Sequence, residues 1–97
     1  MDIQLDLSDH CIETELKRQY NRLVSKYFKA VPEERDLLEP KLEMLRIALE
    51  TLDFGWLRAR CRLLCGAAAP HKITLSREGG NFWILIDDRK RCALDRP

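Results

Sequence analysis

Cys61 and Cys65 stand four residues apart, a spacing that on a helix places both thiols on one face, where they could supply two thiolates to zinc or an iron–sulfur centre. A closed site needs further ligands. The other candidates are His10, Cys11, His71 and Cys92, and their spacings match no finger or ribbon pattern. The simpler reading is that the pair packs beside Leu57 and Leu64 as small hydrophobes, so no metal and no cofactor is expected. A second kind of chemistry is offered by cations. Arg58, Arg60 and Arg62 alternate, and Arg89, Lys90 and Arg91 form a short basic cluster; either group suits phosphate contacts. Asp87, Asp88 and Asp95 dilute the field of the second cluster, and a solvated tail is the plainer account of it. Neither a Gly-rich phosphate loop nor a nucleophile context is present, and the carboxylates are distributed as solubility alone would place them. The chain is not expected to be an enzyme.

The bulk composition narrows the setting of these groups. Ninety-seven residues, 45% hydrophobic and 34% charged, suit one domain spanning 1–97, because a chain this short buries one core. Lys and Arg number 17 against 16 Asp and Glu, which removes the broad positive field of a protein that binds nucleic acid through its whole surface. The N-terminus carries Asp2, Asp6 and Asp9 and no long apolar run, so neither a signal peptide nor a membrane span is expected and a cytoplasmic location follows. Without export, the four cysteines read as reduced thiols.

The elements that position these groups follow from periodicity. Ile3, Leu5 and Leu7 alternate with polar residues, so residues 1–8 read as a strand. Ser8 and Asp9 offer cap oxygens, and Glu13 and Glu15 favour the start of a helix. Its apolar face comprises Ile12, Leu16, Tyr20, Leu23, Val24, Tyr27 and Phe28, with Lys17, Arg18, Arg22 and Lys26 largely off that face. Pro32 ends it near Ala30. A second helical stretch carries Leu42, Leu45, Leu49 and Leu52 as a packing seam, with a break or restart expected at Pro40. Asp53-Phe54-Gly55 interrupts it, a third helical segment runs from about Trp56 to Cys65, and the helical region closes at Gly66. Residues 67–71 read as a linker, 72–87 as a β-hairpin turning at Gly79 and Gly80, and 88–97 as a tail.

The expected fold is therefore α+β: an antiparallel helical hairpin or three-helix unit packed with a small antiparallel sheet made of the N-terminal strand and the C-terminal hairpin. Phe82 to Ile86 is continuously apolar, so Trp83 and Leu85 point away from Phe82, Ile84 and Ile86. The Trp83, Leu85 side is expected to meet a partner, a second copy of the chain being one candidate, unless the segment from Cys92 covers it.

The run Leu-Lys-Arg-Gln-Tyr-Asn-Arg-Leu-Val-Ser-Lys-Tyr at 16–27 resembles the second helix of a J-domain. Leu42, Leu45, Ala48, Leu49, Glu50 and Leu52 fall at the spacings of that family's third helix. Leu57-Arg58-Ala59 with Leu63 and Leu64 looks like the continuation found in J-proteins of iron–sulfur cluster assembly. J-proteins follow the helix-end Tyr with His-Pro-Asp, whereas Tyr27 is followed by Phe28, Lys29 and Ala30, and a strand replaces the short first helix. The resemblance implies a scaffold whose Lys17, Arg18, Arg22 and Lys26 make a charged docking face for a chaperone-related protein, without stimulation of its ATP hydrolysis. The function expected is a noncatalytic interaction module or adaptor. Nucleic-acid binding by the arginine clusters is the alternative, and metal or redox chemistry at Cys61 and Cys65 the second.

Overall fold

The computed structural model describes residues 2–6, 11–57 and 72–94, with the backbone alone at 90 and 91. Its elements run β1 (Asp2–Leu5), α1 (Ile12–Lys29), α2 (Pro32–Thr51), β2 (Ile73–Glu78), β3 (Asn81–Ile86) and β4 (Arg89–Ala93). The fold is α+β. All strand pairs are antiparallel, in the spatial order β1-β2-β3-β4.

Alternation in β1 buries Ile3 and Leu5 and leaves Asp2 and Gln4 exposed. Ile3 faces Leu75, which faces Ile84, and Leu5 faces Ile73, so one side of the sheet is a continuous apolar surface completed by Phe82. The helices lie on that side: Leu16 and Leu23 of α1 and Met44, Leu45 and Ala48 of α2 join the same core. The β2–β3 turn is made by Gly79 and Gly80, both at positive φ (58° and 85°), the geometry a two-residue hairpin takes.

Three expectations are corrected. Of the expected tail at 88–97, the described residues 88–94 are no tail, since Arg89–Ala93 pairs with β3 and Leu94 is buried, its amide donating to the Phe82 carbonyl at 2.9 Å. The Asp87-Asp88 turn that permits this has both residues in the left-handed region (φ 53° and 67°) and is held by the Lys72 amide donating to Asp87 Oδ1 at 3.0 Å. Pro40 does not break α2, which runs unbroken through it; Asp36, whose carbonyl loses its i+4 donor to the proline ring, is exposed, so water can take the place of the lost bond. The Asp53-Phe54-Gly55 interruption is shorter than expected, because Asp53 caps a helical turn at 54–57 by accepting from the Trp56 amide at 3.0 Å. The remainder of the third helical segment, the linker at 67–71, and Ser8 and Asp9 lie outside the described residues.

The apolar face of α1 extends past the core. Ile12, Leu16 and Leu23 are buried, whereas Phe28 is 73% exposed, because an 18-residue helix of ~27 Å outruns the short strands beneath it. Among the described residues no helix is long and apolar enough to cross a membrane.

Candidate functional site

Where α1 leaves the sheet, a carboxylate is fully buried. Glu15 is 0% exposed; it accepts from the Asp6 amide at 2.7 Å, from Arg18 Nε at 2.7 Å and from Gln19 Nε2 at 3.0 Å. Gln19 also donates to the Gln4 carbonyl at 2.8 Å. These bonds tie β1 to α1 and hold Arg18 in place, with the Glu15 bond raising the guanidinium pKa above its usual value. A buried charge is tolerated only when paired and hydrogen-bonded in this way.

Arg18, Arg22 and Lys26 follow at i, i+4 and i+8 on α1 and so share one face. Together with Lys41 from α2 they line a cleft of about 380 Å³ closed on the sheet side by Gln4, Leu5 and Asp6. Arg22, Lys26 and Lys41 have no ion-pair partner among the described residues. Lys17 does not reach this cleft; it pairs along the helix with Glu13 at 3.5 Å. Trp83 and Leu85 stand elsewhere, on the sheet face turned away from the helices, and are half-buried rather than exposed. Their cross-strand neighbours Ser76 and Thr74 are buried.

A second concavity lies on the other side of the helical hairpin. Tyr20, Val24, Tyr27 and Phe28 of α1 and Leu42 of α2 floor a groove of about 710 Å³, a volume within the usual range of binding sites. Its α2 rim carries three carboxylates, Asp36, Glu39 and Glu43, and one cation, Arg46. Tyr27 is fixed there: its hydroxyl donates to Glu39 at 3.1 Å, which raises the phenol pKa, and Arg35 lies over its ring at 5.3 Å. Arg46 is bonded to both Glu43 and Glu50, and the Glu43 carboxyl is held below its usual pKa by that guanidinium.

Sequence reasoning missed Lys41 and the acidic rim, because both depend on how α2 is rotated against α1. It placed Phe28 on the same apolar helix face as the buried Leu16 and Leu23. The large apolar side chains most exposed among the described residues are Phe28, Val31 at 53% and Leu37 at 80%, all at the hairpin tip rather than on the sheet. The basic cluster at 89–91 falls on β4, the last strand of the sheet among the described residues. Cys61, Cys65, His10, His71, Arg58, Arg60 and Arg62 lie outside the described residues. Cys11 is exposed and Cys92 half-buried, and no cluster of three metal-ligating side chains forms among the described residues.

A protein-family model matches residues 1–85. The chain belongs to that family. The chain is also similar to an uncharacterized protein of Archaeoglobus fulgidus, 43% identical over 61 residues that make up 62% of this chain and 72% of the relative. No solved structure matches. The matched 1–85 segment covers β1, both helices, β2 and most of β3, so the basic cleft and the acidic-rimmed groove both lie inside the family's extent.

Proposed function

We propose that the protein is a noncatalytic interaction module, an adaptor on a J-like helical hairpin, that engages an acidic surface of a protein partner through Arg18, Arg22 and Lys26, with Lys41 added from α2. Lys17 extends the same basic character along the exposed side of α1. A cytoplasmic setting and a chaperone-related partner belong to this reading, and stimulation of ATP hydrolysis does not, since Phe28, Lys29 and Ala30 stand after Tyr27.

The observation that carries it is the convergence on one concave surface of three cations from two helices that have no ion-pair partner among the described residues. Surface charges on helices commonly find i, i+4 partners, as Lys17 and Arg46 do here. Cations left without partners and gathered in a cleft focus a local field that the near-neutral whole does not have. Trp83 and Leu85 form the second contact surface of the proposal.

The test is affinity capture from native cytosol by wild type and by an Arg22→Glu, Lys26→Glu variant of matched circular dichroism, with and without nuclease. Loss of one specific protein in the variant is the expected result. Retention of the same protein would remove the cleft from the interaction, and nuclease-sensitive material would replace the reading with nucleic-acid binding. A Trp83→Asp, Leu85→Asp variant assays the sheet surface separately.

A further inference from the structure

The groove on the opposite side of the hairpin differs from the basic cleft in every respect that selects a ligand. Its floor is aromatic and aliphatic, and Phe28 at its end is 73% exposed. Its rim is acidic. Asp36 has no ion-pair partner among the described residues; Glu39 is bonded to a neutral phenol, and Glu43 shares Arg46 with Glu50. The other nearby cation, Arg35, is occupied on Tyr27, where its Nε donates to the carbonyl at 3.1 Å. A third acceptor comes from the backbone. Pro40 lines the groove and has no N–H, so the Asp36 carbonyl one turn earlier lacks its helical donor.

We propose that this groove binds a cationic amphipathic helix of a partner protein. Apolar side chains of that helix would enter between Val24, Phe28 and Leu42, and its Lys or Arg side chains would meet Asp36, Glu39 and the open Asp36 carbonyl. Helical form follows from the groove's walls, which are two helices side by side with apolar positions at 20, 24, 27 and 28; a third helix packs its ridges along such a channel. An extended segment would find no strand edge there. A second copy of the chain is a poor occupant, because Ile12, Leu16 and Leu23 of the cationic helix α1 are buried in its own core and the remaining apolar side chains of that face line the groove itself. This surface is distinct from the basic cleft, and its failure would leave the proposed function standing.

The probe is a fluorescein-labelled peptide of about 18 residues, five helical turns, with Leu at i, i+3, i+4 spacing and Lys elsewhere, compared with the same peptide carrying Glu for Lys. Fluorescence anisotropy should show binding of the Lys peptide by the full chain, weakened by salt, and none of the Glu peptide. Phe28→Asp and Asp36→Lys, Glu39→Lys variants should each lower affinity at least about tenfold, while Arg22→Glu, Lys26→Glu leaves it within about twofold. Equal binding of both peptides, or of the Lys peptide by wild type and groove variants alike, would overturn the proposal. So would sedimentation showing a wild-type dimer that Phe28→Asp converts to monomer, since the occupant would then be a second copy.

Discussion

The two ends of α1 solve opposite problems. At its base a charged group, Glu15, is sunk to zero exposure and given three donors; at its tip an apolar group, Phe28, is left 73% exposed. Burying the first fixes the angle at which the helix leaves β1, and the geometry of the cleft cations depends on it. Exposing the second serves no packing purpose in the described structure. A side chain in an environment contrary to its chemistry is fully compensated within the fold at one end, and at the other the described structure supplies no cover, which is the place the proposed helical ligand would fill.

The comparison breaks most directly at the base. Glu15→Ala removes at least three bonds to a charged acceptor, which at roughly 1.5 kcal/mol each come to about 4–5 kcal/mol of stability or more, measurable by urea denaturation. Phe28→Asp at the tip should leave stability within about 0.5 kcal/mol, as surface substitutions do. Equal costs at the two ends would show that Phe28 is part of the core and erase the distinction. Pro40→Ala comes next and has the opposite sign: restoring the amide to the Asp36 carbonyl should stabilise the chain by up to about 3 kcal/mol. The same substitution should weaken the Lys peptide, because the open carbonyl is closed. A stabilised variant that binds unchanged would remove the backbone acceptor from the groove's chemistry.

How much of this was legible in the sequence depends on whether the deciding physics is local. The alternation Ile3, Leu5 and the Gly79-Gly80 turn are set by neighbours in the chain, and both could be read directly, whereas α1 begins at Ile12 behind an N-cap at Cys11 rather than at the expected Ser8-Asp9 cap. Strand β4 could not be read in this way. Its Arg-Lys-Arg composition looks like solvated chain, its turn is Asp-Asp rather than the usual Asn-Gly, and a register shift between Ile84 and Leu85 interrupts its pairing. The strand is justified only by the edge of β3 and by Leu94, which closes the core. Pro40 misled for a related reason, since its cost depends on whether the Asp36 carbonyl is buried or wet. The basic face of α1 was evident from spacing, whereas Lys41 and the acidic rim required the rotation of α2.

The β4 turn gives a smaller prediction on the sheet side of the comparison. Asp88 holds φ at 67° and pairs with Lys72 at 3.2 Å across an exposed surface. Glycine relieves a left-handed backbone by about 1 kcal/mol, and an exposed pair is worth a few tenths. Asp88→Gly should therefore gain roughly 0.5–1 kcal/mol and leave both helical surfaces unchanged. A loss of stability would mean that the Lys72 contact, rather than backbone geometry, holds β4 in place.

The smallest effect lies at the tip itself. The Tyr27 phenol is held above its usual pKa, first by its hydrogen bond to Glu39 and then by desolvation and the nearby carboxylate. A group whose neutral form is favoured in the folded state contributes stability that is complete below the unfolded phenol value of about 10 and is lost as pH rises through the higher folded value. Subtracting the alkaline absorbance titration of Tyr27→Phe from that of wild type isolates this group, since the chain has only two tyrosines. The midpoint should lie above the ordinary phenol range and fall towards it in Glu39→Gln. Because the same carboxylate would receive a cation in the groove, a saturating peptide with Arg in place of Lys, which stays charged through the phenol range, should also lower the midpoint, as a positive charge nearby favours the phenolate. A midpoint that follows Glu39→Gln but ignores the peptide would place the ligand away from the rim of α2, while Phe28 could still mark the apolar end of its site.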